Sequence, residues 1–140
     1  MSNTHPITLQ QVFFVRSVVV ANTAHTPSET EVTLAPVNSL DVRKMPDQER
    51  IYQAHMRCTI NAENEPSQPY VIDMECVGNF EVDGKLSPEE AERGVLITAN
   101  SVLYGAIREA VSWLTGRQPF GALTLGLSVL ATSSKLEIES

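Results

Sequence analysis

The sequence predicts an α+β fold: a four-stranded antiparallel sheet with one long helix packed on one face, followed by a short extended segment. Three observations carry this. Two runs, Arg50 to Ala62 and Tyr70 to Val82, alternate apolar and polar residues at period two, as strands buried on one face do. The turn-forming stretch Glu63 to Pro69 between them closes a hairpin. Shortly after the second run, Ser87-Pro88-Glu89-Glu90 combines an N-cap, a proline at the first helical position and a carboxylate three residues on, and opens an apolar stripe spaced at three and four.

Along the chain, Val12 to Val20 is β-branched and aromatic on both faces, which suits a strand buried on two sides or lying at a subunit contact. Asn22 to Glu31 is a polar connection. Val32 to Val42 has strand composition but contains Pro36, which donates no ladder hydrogen bond, so an edge strand or two short pieces are expected. Met45-Pro46-Asp47-Gln48 is a turn. In the next strand Tyr52, Ala54, Met56, Cys58, Ile60 and Ala62 point inward, with Gln53, His55, Arg57, Thr59 and Asn61 outward. In the strand after it Tyr70, Ile72, Met74, Cys76, Phe80 and Val82 face the core, while Asp73, Glu75, Asn79 and Glu81 face away.

The helix is expected from Pro88 to Thr115, ended by Gly116 and kept from restarting by Pro119. Unbroken it would be about 42 Å long, so a break near Gly94 or Asn100 is expected. Its stripe runs through Ala91, Val95, Ala99, Val102, Leu103, Ala106, Ile107, Ala110, Val111 and Leu114. A second line, Ile97, Ser101, Tyr104, Gly105 and Arg108, is not the charged face of an ordinary surface helix, so the helix is expected to be covered on both sides. Gly105 costs roughly 1 kcal/mol against Ala in a helix interior, a cost often accepted where another backbone comes close. Val102, Leu103, Gly105, Ala106, Ile107 and Val111 are therefore the candidate interface for a homo-oligomer. Leu123 to Val129 reads as a short strand or extended segment, and Met1 to Pro6 and Thr132 to Ser140 as loosely ordered ends of a single domain spanning 1–140.

With 42% hydrophobic and 19% charged residues the chain is long enough for one adequate core. A net charge of −7 disfavours nucleic acid and anionic membrane surfaces, and leaves basic partners open. The apolar run Ile7 to Ala21 is interrupted by Gln10, Gln11 and Arg16 and neither spans a membrane nor acts as a leader, so the cytoplasm is expected. Cys58 and Cys76 read as buried thiols rather than a disulfide. Strand parity puts His55 on the face opposite Cys58, a poor metal pair. Asp73 and Glu75 read as a solvated acidic face rather than a catalytic pair, because no apolar pocket is apparent that would raise either pKa. The glycines Gly116, Gly121 and Gly126 lack the Lys and Ser/Thr of a phosphate loop, and no nucleophile has an identifiable base. No catalysis, no metal and no cofactor are expected.

Three stretches, Asp73 to Gly84 (DMECVGNFEVDG), Leu103-Tyr104-Gly105-Ala106-Ile107-Arg108-Glu109 and Leu114-Thr115-Gly116-Arg117-Gln118-Pro119-Phe120, resemble the SecB family of export chaperones in wording, order and spacing. Val12 to Asn22 and Arg50 to Ala62 do so more loosely. The resemblance implies an ATP-independent holdase that binds unfolded polypeptide clients, among them preproteins for export, and assembles as a dimer of dimers with its helices inside. It implies an acidic sheet face that docks the export ATPase SecA, with Asp73 on the family's acid and Val71 and Glu75 beside it. Ser17 and Ala21 stand where that family carries two further acids, and only ten residues follow Leu130, where the family continues into a second long helix. A client groove is expected around the crossover, from Val37, Leu40, Val42 and Met45 with Tyr104, because Pro36 and Pro46 leave that backbone incompletely paired. Alternatives are a chaperone dedicated to the antitoxin of a toxin and antitoxin pair, or a small ligand-binding or enzymatic domain using Asp73, Glu75 or His55.

Overall fold

The computed structural model describes residues 6–25 and 36–126. Its elements are β1 (Ile7–Ala21), β2 (Val37–Lys44), β3 (Ile51–Ile60), β4 (Tyr70–Val82) and α1 (Pro88–Thr115). The strands form one antiparallel sheet in the order β1-β4-β3-β2, with α1 across one face, so the expected α+β architecture is found. The order leaves β1 and β2 as the two edges. Residues 26–35 between them, including the first part of the Val32 to Val42 run, lie outside the described residues.

Alternation does what period two requires. Tyr52, Ala54, Met56, Cys58 and Ile60 on β3 and Tyr70, Ile72, Met74, Cys76, Phe80 and Val82 on β4 are all buried beneath α1. Gly78 occupies the one inward position of β4 without a side chain. A Cβ there would fall 2.9 Å from Phe80 Cε1 and 3.0 Å from Leu103 Cδ2, so the glycine lets the helix settle close to the sheet. Asn61 and Asn64 adopt positive φ of 56° and 58° in the β3–β4 turn, where the Asn61 side chain accepts from Glu65 N at 2.6 Å.

The N-terminus of α1 carries the expected capping box: Glu90 N donates to Ser87 Oγ and Ser87 N to Glu90 Oε1. The expected break is not found, and the helix runs unbroken for 28 residues. Ala91, Val95, Leu96, Ala99, Leu103, Ile107 and Val111 are all buried along it, and this continuous contact with the sheet outweighs the poor propensity of Gly94 and Gly105. Beyond Gly116 the chain is tied back to β4 and β1. The Tyr70 hydroxyl donates to Gly121 O at 2.6 Å, Leu123 N to Thr115 Oγ1 at 2.8 Å, and Gln118 Nε2 to Val19 O at 3.2 Å. Residues 121–126 form no strand, and the remainder of the expected Leu123 to Val129 segment lies outside the described residues, as do Met1 to His5 and the tail.

Candidate functional site

Two surfaces hold the residues of interest, one on each side of the sheet. On the helix side, β1 does not alternate strictly. Its register against β4 slips between Leu9 and Gln11 and again between Phe14 and Arg16, so Gln10 and Val15 are extra residues. The bulges bring Leu9, Val12 and Phe14 opposite Phe80, Gly78 and Cys76 in turn, on the face that α1 covers. The helix does not reach far enough to close over Phe14. An open groove of about 430 Å³ remains, lined by Phe14, Ala106, Glu109, Ala110, Trp113 and Leu114. Phe14 and Trp113 are 36% and 56% exposed, unusual values for side chains of that size. Arg117 stacks 3.5 Å from the Trp113 ring centroid and donates to its carbonyl, which holds the indole in place.

Sequence reasoning missed this groove. The apolar stripe read along the helix does not include Trp113, and strict period two cannot place Phe14, since the register of β1 shifts between Leu9 and Gln11 before it. The only signal was composition, an apolar strand with no polar face.

The expected client groove is not assembled as such. Leu40 pairs with Met56 and is buried, as is Tyr104, so both belong to the protomer's core. Val42 lies on the same face and is half-buried, and Met45 is half-buried in the following turn. Val37 pairs with Thr59 on the opposite face of the sheet and is 67% exposed. Parity separates it from Leu40 and Val42, so a single groove cannot use all three.

The expected oligomer residues divide in the same way. Leu103, Ile107 and Val111 are wholly buried against their own sheet, which corrects their assignment to a subunit contact. Val102 and Ala106 are half-buried beside the groove. A Cβ at Gly105 would meet nothing within 4 Å, so close approach within the protomer does not explain that glycine.

On the outer face Val71, Asp73 and Glu75 stand together as expected, yet neither carboxylate is free. Asp73 Oδ1 accepts from Arg57 Nε at 2.9 Å, and Oδ2 accepts from Arg57 Nη2 at 2.7 Å and Arg16 Nε at 2.8 Å. The Arg57 hydrogen bonds, with help from Arg16, hold the Asp73 carboxyl below its ordinary pKa despite partial burial. Glu75 Oε1 lies 2.8 Å from His55 Nε2. Asp73 therefore stands in an ion-paired cluster with Arg16 and Arg57 rather than as a free carboxylate. Arg16 was invisible as a partner because only the bulge after Phe14 brings it opposite Glu75 and beside Asp73.

Cys58 and Cys76 are free, and burial pushes each thiol up to about 11. His55 and Cys58 lie on opposite faces. Among the described residues no group of three or more His, Cys, Asp or Glu is placed to hold a metal ion, and no helix is long and apolar enough to cross a membrane.

A family model described as preprotein translocase subunit SecB matches residues 3–127. No curated protein sequence matches the chain. Among solved structures, the SecB-like chaperone Rv1957 of Mycobacterium tuberculosis, in complex with a ChAD peptide from the Rv1956 HigA1 antitoxin, is similar at TM-score 0.67 and 22% identity. That match covers 88% of this chain and 91% of the other. A protein of unknown function from Streptococcus agalactiae is similar at TM-score 0.52 and 13% identity, over 86% of this chain and 97% of the other. At these identities the likeness is one of fold.

Proposed function

The chain belongs to the SecB family, a family of non-enzymatic chaperones, and from that premise we propose that it is an ATP-independent holdase for non-native polypeptides that works through the groove between β1 and α1. The observation that carries this reading is the exposure of Phe14 and Trp113 at either side of an apolar trough. Each apolar side chain withdrawn from water contributes about 1.5 to 3 kcal/mol when fully buried, so a few shallow contacts reach micromolar affinity without reading a sequence. A surface of that kind suits many clients, because it asks for apolar area and not for fixed polar geometry.

Self-association is part of the proposal. The helix face at Gly105, where a Cβ would meet nothing within 4 Å among the described residues, and the position of β1 at the edge of the described strands, with Val15 57% exposed, favour a second copy of the chain and a dimer of dimers. Preproteins are one client class. The likeness to a chaperone solved with an antitoxin peptide favours a second reading, a chaperone dedicated to an antitoxin. Recruitment of SecA through the outer sheet face gains no support from the geometry, since Asp73 and Glu75 are already engaged. Two buried free thiols are in keeping with a cytoplasmic site of action.

The test is a Phe14→Ser, Trp113→Ser double variant in an aggregation-suppression assay with an unfolded client, with light scattering on the same samples. Loss of suppression at unchanged mass and nearly unchanged melting temperature supports the reading. Full suppression by the variant ends it, and loss of mass together with suppression reassigns the groove to the contact between copies. Whether an antitoxin peptide binds at least as tightly as an unfolded preprotein decides between the two client classes.

A further inference from the structure

On the outer face of the sheet both oxygens of Asp73 are engaged, while the two arginines that hold it keep donors to spare. Asp73 takes three hydrogen bonds, and Glu75 is engaged by His55. Arg16 uses only Nε in that network, so among the described residues neither of its terminal Nη groups finds a partner, nor does Nη1 of Arg57. Both arginine side chains are about half exposed, at 49% and 50%, whereas the Asp73 side chain between them is 15% exposed. A molecule approaching this face therefore meets two oriented guanidinium edges before it meets the carboxylate that orients them. Arginine presents its N–H groups as a fixed fork suited to carboxylates, and Asp73 holds these two forks in position.

The surroundings define the rest of the ligand. Val18 pairs with Asp73, and Val20 with Val71 on the same outer face. Across β3, Thr59 pairs with both Asp73 and Val37. The guanidinium pair thus sits at the margin of an aliphatic strip of Val18, Val20 and Val71, with Val37 on β2 beyond Thr59, and Val20 and Val37 are more than half exposed. The Asp41 carboxylate, on the same face, pairs in register with His55 and not with the arginines.

We propose that this face docks an extended, acidic and aliphatic polypeptide segment, whose carboxylate meets Arg16 and Arg57 while its alternate aliphatic side chains lie on the valine strip. The polarity is opposite to that of a dock for a basic partner. The site is separate from the β1 and α1 groove and does not rest on the holdase reading.

The test uses the full chain and fluorescent peptides of alternating Glu and Val, Gln and Val, or Lys and Val, each bracketed by Gly-Ser, followed by anisotropy at low salt. The Glu peptide is expected to bind about tenfold more tightly than the Gln peptide, the scale of one charge-assisted hydrogen bond, and the Lys peptide most weakly. Arg16→Gln, an exposed substitution that leaves the fold intact, should erase the preference, and the Trp113→Ser variant should keep it. Added salt should weaken the Glu peptide most. Equal affinity for the three peptides, preference for Lys, or a Glu preference that survives Arg16→Gln would each overturn the proposal.

Discussion

Arg57 grips Asp73 in a two-pronged bond across β3 and β4, Nε to Oδ1 at 2.9 Å and Nη2 to Oδ2 at 2.7 Å, and Arg16 closes on the same carboxylate from β1. Three strands are linked by one acid. This relationship leaves the Asp73 side chain of the acidic stretch DMECVGNFEVDG paired with two arginines and only 15% exposed.

The first prediction concerns that acid. Replacing Arg57 by Gln removes the largest cause of its depressed pKa, so the Asp73 titration followed by carboxyl NMR should move up toward the ordinary range. Because the folded pKa lies below the unfolded one, the interaction contributes stability above the unfolded value and loses it as pH falls through the folded value. The Arg57→Gln variant should therefore lose part of the parent's stability at neutral pH and show a smaller stability change on acidification. An unmoved titration would mean that Arg16 alone sets it.

Leu40 and Val37 lie three residues apart on opposite faces of β2. Leu40→Ala should cost about 2 to 4 kcal/mol, the range for a buried leucine whose cavity collapses only in part. Val37→Ala should change stability by less than about 0.5 kcal/mol. Urea unfolding of the two variants checks the register, and equal losses would contradict it.

Two glycines should respond in opposite ways. Gly78→Ala pushes a methyl group against the buried Phe80 and Leu103 side chains and should destabilise by about 1 to 3 kcal/mol. At Gly105 an added Cβ meets nothing within 4 Å among the described residues, so Gly105→Leu should leave the melting transition of the protomer nearly intact, while lowering the mass seen by light scattering if that face joins two copies. A variant of unchanged mass would place the assembly surface elsewhere.

Both thiols, raised to about 11 by burial, should resist alkylation in the native protein at pH 8 and react fully once it is unfolded. A raised folded pKa also means that stability is intact below the unfolded thiol value of about 8.5 and declines as pH rises toward the folded one. Denaturation midpoints measured across that alkaline window should fall for the parent and fall less for Cys58→Ala. Rapid native labelling of either residue would contradict its burial.

Local chemistry determined much of this protein. The Ser87 and Glu90 cap, the alternation of β3 and β4 and the apolar stripe of α1 are properties of neighbours within a few residues, and each is found where the sequence places it, whereas β3 ends at Ile60, and Asn61 and Ala62, expected in the strand, already belong to the turn. The SecB resemblance was legible for the same reason, as its wording lies in β4 and α1. Tertiary structure decided what depends on register. Two bulges in β1 turned Phe14 toward the helix and brought Arg16 to Asp73, and no clean periodicity in that largely apolar strand announces where an extra residue falls. Packing, too, decided which half of the α1 stripe belongs to its own sheet. Leu103, Ile107 and Val111 share one apolar stripe with Val102 and Ala106, and only the face that the helix turns to the sheet buries the first group and leaves the second half-buried beside an open groove.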